Sequence, residues 1–149
     1  MKSRPDVFIL WGEDFEAQMA VTFATQFRKA GISTKIVGLR NRPMKDAHGI
    51  TLTPDMTVSQ AVSSPNPIGC IIAPCHELEF DRIHDDPRLD QLYDKAKQSG
   101  AEFVMGNVCP GDVSDLTGTP RVTYCAKDHQ IEQTIELVMS KISTFRDEN

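Results

Sequence analysis

The 149-residue chain has no basic excess: 16 Lys and Arg stand against 21 Asp and Glu, for a formal net charge of −5. Phosphate binding needs a basic face, so nucleic acid is not expected as a partner. Long apolar runs are also missing. The run nearest the N-terminus, VFILW, is five residues, too short for the apolar core of a signal peptide and far too short to span a membrane. A soluble protein in a reducing cytosol is therefore expected. There the four cysteines are read as thiols, ligands or redox groups rather than as disulfides. No C-x2-C pair, internal repeat, linker or low-complexity tract occurs.

A hydrophobic content of 40% and a charged content of 25% are ordinary for a globular protein, and the length suits one domain spanning residues 1–149. VFILW (7–11) reads as a buried strand. Met19, Phe23 and Phe27 then recur at helical spacing, with Gly31 as a stop. STKIVGL (33–39) is a second strand. GITLT is a short β-like piece, and TVSQAVSS makes one or two helical turns. GCIIAP (69–74) is a third strand. Pro87 opens a helix whose face carries Leu89, Leu92, Tyr93 and Ala96, and Gly100 ends it. EFVMGNV (102–108) and RVTYC (121–125) are the fourth and fifth strands, with a short helical piece at GDVSDL between them. A last helix carries Ile131, Ile135, Val138, Ile142 and Phe145 on one face, and RDEN is expected to fray. Strands alternating with helices predict an α/β helix–sheet–helix sandwich with a mainly parallel, flavodoxin-like sheet.

Open sheets of this kind hold their chemistry beyond the carboxyl ends of the strands. Strand one leads there to Glu13, Asp14 and Glu16, strand three to Cys75, His76 and Glu77, strand four to Cys109, and strand five to Cys125 and then His129. Neighbouring strands lie about 4.8 Å apart, so residues at adjacent ends can meet. Cys70, inside an apolar run, is core. Cys125 reads as a strand-end residue, Trp11 as packing, and His48 and His84 as solvated. Cys75, His76, Cys109 and Cys125 have the composition of a Cys3His zinc set, but the two adjacent residues point to opposite sides of an extended chain. No metal and no cofactor are expected.

Four stretches taken together resemble the DJ-1/PfpI superfamily, whose fold is like that of class I glutamine amidotransferases. They are GEDFEAQMAVTFATQFRKAGISTKIVGL, ITLTPDMTVSQA, IGCIIAPCH and AEFVMGNVCPG, and the likeness runs from residue 7 to about 145. The resemblance implies that Cys109 is the elbow cysteine and that Glu16 is the carboxyl group hydrogen-bonded to its sulfur. A thiolate is the reactive form and a helix N-terminus favours it. A carboxyl group that donates to the sulfur must keep its proton. The resemblance also implies a homodimer, and a small-molecule ligand could sit at the strand-end edge.

Three departures steer the chemistry. Cys75-His76 stands where the family has Gly-Gly, which supplies oxyanion donors. Pro110 follows the cysteine and has no N–H to offer. No histidine lies directly after Cys109 or in the short segment before strand five. Losing one oxyanion donor typically costs acyl chemistry about 100- to 1,000-fold. The expected function is therefore stress-linked thiol chemistry or oxidation sensing at Cys109, with Glu16 and His76. Two alternatives stand beside it: a non-enzymatic binding or regulatory module of the same fold, and a small-molecule hydrolase or lyase with a rebuilt site.

Overall fold

A computed structural model describes residues 4–75, 86–105, 122–125 and 131–148; of residues 105, 122–125 and 143–148 it describes the backbone alone. Eight strands and four helices occur among the described residues. They are β1 (Asp6–Trp11), α1 (Ala17–Lys29), β2 (Thr34–Gly38), β3 (Met44–Lys45), β4 (Thr51–Leu52), β5 (Met56–Thr57), α2 (Val58–Ser63), β6 (Ile68–Ala73), α3 (Pro87–Ser99), β7 (Glu102–Met105), β8 (Val122–Cys125) and α4 (Ile131–Glu148).

Six strands form one sheet in the order β5-β2-β1-β6-β7-β8, and every pairing in it is parallel. β1 is buried along its whole length, as a central strand covered on both faces must be. Helices α1 and α4 contact each other, as do α2 and α3. The apolar faces read from the sequence are the buried ones: Met19, Phe23 and Phe27 on α1; Leu89, Leu92, Tyr93 and Ala96 on α3; Ile131, Ile135, Val138 and Ile142 on α4. Completely burying a side chain of this size stabilises by about 1.5–3 kcal/mol. The main core is therefore the sheet and its two helical layers.

The helix ends follow local chemistry. Gly100 adopts φ 73°, the left-handed geometry that terminates α3, and its N–H donates to Lys97 O. Thr57 and Gln60 form a reciprocal capping box at the start of α2. Lys95 of α3 donates to the carbonyls of Ala61, Val62 and Ser64, closing the other end of α2. Desolvation of that ammonium lowers its pKa, opposed by the charge of Asp6.

Two features differ from the sequence reading. The helix expected to fray over its last residues continues to Glu148. The stretch between β2 and α2 is more ordered than one β-like piece. β3 and β4 pair antiparallel as a separate hairpin, and β5 joins the main sheet beside β2. Asp55 prepares that junction. Its N–H donates to Ile36 O at 2.8 Å, and its carboxylate accepts from Ile36 N and from Arg28. Residues 106–108 and 121 of the expected strands, and the GDVSDL piece, lie outside the described residues.

Candidate functional site

The carboxyl ends of β1, β6, β7 and β8 lie side by side. Ala73 pairs with Met105, and Met105 pairs with Cys125 at the backbone. Cys109 is four residues past the end of β7 in the sequence. Cys109, Pro110, His76 and His129 lie outside the described residues, as does the side chain of Cys125. Glu13, Asp14, Glu16 and Cys75 are the residues expected at this edge that lie among the described ones.

Glu16 is the N-cap residue of α1 and is half-buried. Its N–H donates to Pro74 O at 2.8 Å, and its own carbonyl accepts from Ala20 N. The first bond joins the β1–α1 turn to the end of β6, one residue before Cys75. Cys75 then closes a tight turn, its N–H donating to Ala73 O at 2.9 Å, and its side chain is 0% exposed. Glu16 and Cys75 are thus brought to the same edge, as their strand-end positions predict.

The turn that carries Glu16 is tightly built. Asp14 takes φ 68°, the left-handed region that L residues other than Asn and Asp seldom use. A Cβ at Gly12 would meet Leu39 Cδ1 at 2.7 Å, so a side chain there would have to displace the end of Leu39. Trp11 and Phe15 pack edge to face, with ring centroids 6.2 Å apart, and both are buried.

The β3–β4 hairpin holds this turn in place. Trp11 Nε1 donates to Met44 O, Asp14 N to Lys45 O, and Ala47 N to Phe15 O. Asp46 makes the most consequential contact. Its carboxylate accepts from Ala17 N at 3.2 Å, in the first turn of α1, and from His48 N and Ile50 N at 2.8 Å each. Burial pushes this carboxyl up, but the three backbone donors, with His48 nearby, outweigh it and hold it below the ordinary value of 3.8. Asp46 therefore supplies the side-chain cap that Glu16, the residue in the N-cap position, does not. Glu13, also expected at this edge, pairs with Arg42 on the exposed rim at 2.7 Å.

The other side of the edge is formed by α3. Asp86 caps that helix, and Arg88 bonds both to Asp86 and to Leu39 O at the end of β2. The hydrogen bonds from Arg88 lower the Asp86 pKa, against a smaller opposing effect of burial. Behind them stands Tyr93, which is 3% exposed, with its ring set edge to face on Phe103 of β7 at 5.2 Å. Its hydroxyl has no hydrogen-bond partner among the described residues. An unsatisfied buried hydroxyl costs about 1–3 kcal/mol. Burial pushes this phenol up, and negative charge on Cys75, Asp90 and Asp86 pushes it further.

Cys70 is a core residue in β6, as its sequence position predicts. Burial pushes its thiol up, with Glu102 on the neighbouring strand adding to the effect. His48 is exposed. Among the described residues no group of three metal-ligating side chains is assembled, and no helix is long and apolar enough to cross a membrane. Two residues escape the reading by sequence. Asp46 leaves a partial signal, since Asp46 and Gly49 stand at the first and fourth positions of a turn. Tyr93 lies on the expected buried face of α3, but nothing in its spacing shows that the hydroxyl lacks a partner.

No protein-family model matches this chain, and no curated protein is similar to it in sequence. Solved structures are similar to it in three dimensions. DJ-1beta from Drosophila melanogaster superposes with a TM-score of 0.73 at 11% identity, over 97% of each chain. The protein thus has the DJ-1/ThiJ/PfpI fold. A ThiJ/PfpI domain protein from Brachyspira murdochii gives a TM-score of 0.69 at 11% identity, over 97% of this chain and 99% of that one. Another DJ-1 superfamily protein, from Salmonella typhimurium, gives 0.65 at 16% identity; the match covers 76% of this chain and 61% of that one. The mainly parallel sheet between two helical layers, expected from the alternation of strands and helices, is the architecture these structures share with this chain.

Proposed function

We propose that this protein is a divergent DJ-1/PfpI member that carries out thiol chemistry or oxidation sensing at Cys109 in a reducing cytosol. Glu16 is the carboxyl group that donates to the Cys109 sulfur, and His76 is the accessory polar group. The observation that carries this reading is the bond from Glu16 N to Pro74 O. It fixes the carboxyl-bearing turn to the end of β6. That strand is paired with β7, and β7 leads to Cys109. The turn is built with care: a left-handed Asp14, a glycine packed against Leu39, and a buried carboxylate from a separate hairpin. Such investment in one turn suits a group that must be held in position for function.

Chemistry on sulfur fits better than acyl transfer, because Pro110 cannot supply an oxyanion N–H. The related Toxoplasma gondii DJ-1, at 14% identity, has a structure described as oxidized, which accords with a fold that can carry an oxidisable group. Graded hydrogen peroxide treatment with peptide mapping of the four cysteines tests the reading. The first oxygen should appear on Cys109. If Cys109 stays unoxidised while Cys70 reacts, the fold serves as a binding module and not as a thiol device.

A further inference from the structure

The candidate site lies at the carboxyl ends of the strands. A groove of about 450 Å³ lies at the opposite edge of the sheet, between the end of α1 and the starts of β1 and β2. Arg4, Arg28, Ser33, Thr34, Lys35 and Asp55 line it. Three cations thus stand against one carboxylate there, in a chain where 21 acidic residues outnumber 16 basic ones.

Local structure builds the groove. Gly31, at φ 79°, ends α1 and turns the chain so that β2 returns beside the helix. Arg28 locks that return. Its Nε and Nη2 both donate to Thr34 O, at 3.2 and 2.9 Å, and Nη2 also donates to Asp55 Oδ2 at 2.8 Å. Of the N–H groups on a guanidinium, those on Nη1 are then left without an acceptor among the described residues. The plane of this side chain is set before any ligand arrives. The Asp55 carboxylate is already shared between Arg28 and Ile36 N. Arg4 and Lys35 are exposed, and neither has a hydrogen bond or ion pair among the described residues. The C-terminal end of a helix disfavours anions. Here its last carbonyls are occupied: Gln26 O and Phe27 O accept from Ala30 N, Phe27 O also from Ile32 N, and Arg28 O from Gly31 N.

We propose that this groove binds the phosphate group of a small, soluble phosphate monoester. Such a group carries a charge of about −1.5 to −2 and three strong acceptor oxygens. Arg28 supplies oriented N–H donors, Lys35 and Arg4 supply flexible charge, and Ser33, exposed beside them, adds a hydroxyl. The volume, about 450 Å³, is that of a small-molecule site and leaves room beyond the phosphate. No aromatic side chain lines the groove among the described residues, so a nucleobase has no ring to stack on and an aliphatic ester fits better. The groove is remote in the fold from the strand ends that lead to Cys109, and the proposal stands whether or not that cysteine is reactive.

The test is a titration of the isotope-labelled protein at constant ionic strength, followed through backbone and arginine side-chain N–H signals. Inorganic phosphate and glycerol 3-phosphate are the probes, and chloride is the reference. The signals of Ser33, Lys35 and the Arg28 guanidinium should move and saturate, with half-saturation at roughly 1–10 mM. Glycerol 3-phosphate should bind at least as tightly as inorganic phosphate. Lys35→Glu reverses an exposed charge and should leave the thermal midpoint in chloride unchanged, while affinity falls by about tenfold or more. Arg4→Glu makes the same test from the other wall, and Arg28 is left in place because it holds Thr34 and Asp55. Shifts that grow without saturating, shifts scattered over the surface, or wild-type affinity in both variants would overturn the proposal. So would sedimentation of the protein with phosphatidic acid vesicles, which would assign the groove to a lipid headgroup.

Discussion

In Glu16→Leu, alkylation of Cys109 at neutral pH slows by about 10- to 100-fold. The slowing follows from what the substitution removes. Leucine has a similar volume and no donor, so the proposed hydrogen bond to the sulfur could not form and thiolate formation would lose its support. The backbone of the turn is unaffected in kind, because the bonds from residue 16 to Pro74 and from Ala20 are made by main-chain atoms. The helix keeps its cap as well, since that cap is the Asp46 carboxylate. Glu16→Gln retains a donor of similar reach and should keep most of the wild-type rate, whereas Glu16→Asp, one methylene shorter, should loosen the contact. Equal rates in wild type and Glu16→Leu would mean that Glu16 does not tune the cysteine.

Asp46→Ala should lower the thermal midpoint by roughly 5–10 °C. The carboxylate is 5% exposed and serves three backbone N–H groups on two elements, so its removal strands the donors at Ala17, His48 and Ile50 together. The effect should depend on pH in a definite sense. The native carboxyl lies below the ordinary value of 3.8, so it binds its proton less readily when folded than when unfolded. Its contribution is then fully present above that ordinary value and is lost as pH falls through the lower native one. The gap between wild type and Asp46→Ala should be widest near neutrality and should close in acid. A gap of constant size down to the acid limit would show that the side chain matters through packing alone. Because the hairpin also holds the Glu16 turn, Asp46→Ala should slow Cys109 labelling too.

The sheet and its helices are legible in the sequence because burial is local in period. VFILW, apolar at every position, reads as a strand covered on both faces, and Met19, Ala20, Phe23, Ala24 and Phe27 can share one face only in a helix. Glu16 and Cys75 could be placed at one edge because parallel strands bring their carboxyl ends together. The hairpin was less visible, since β3 and β4 are two residues each and carry no periodicity to read. Asp46 announces its own turn to Gly49, but its bond to Ala17 crosses 29 residues of sequence, and no local pattern encodes such a partner. Tyr93 lies on the buried face that its spacing predicts, as Leu92 beside it does. What its spacing does not show is the phenolic oxygen, whose partner, or lack of one, is decided by side chains from other elements.

On the proposed function, the folded chain makes Cys109 a better thiolate than an ordinary cysteine. The most direct measurement is the pH dependence of Cys109 alkylation, resolved by peptide mapping, in the folded protein and in the same chain unfolded in urea. The folded profile should have its midpoint at lower pH than the unfolded one; a folded midpoint at or above the unfolded value would contradict the proposed thiol chemistry.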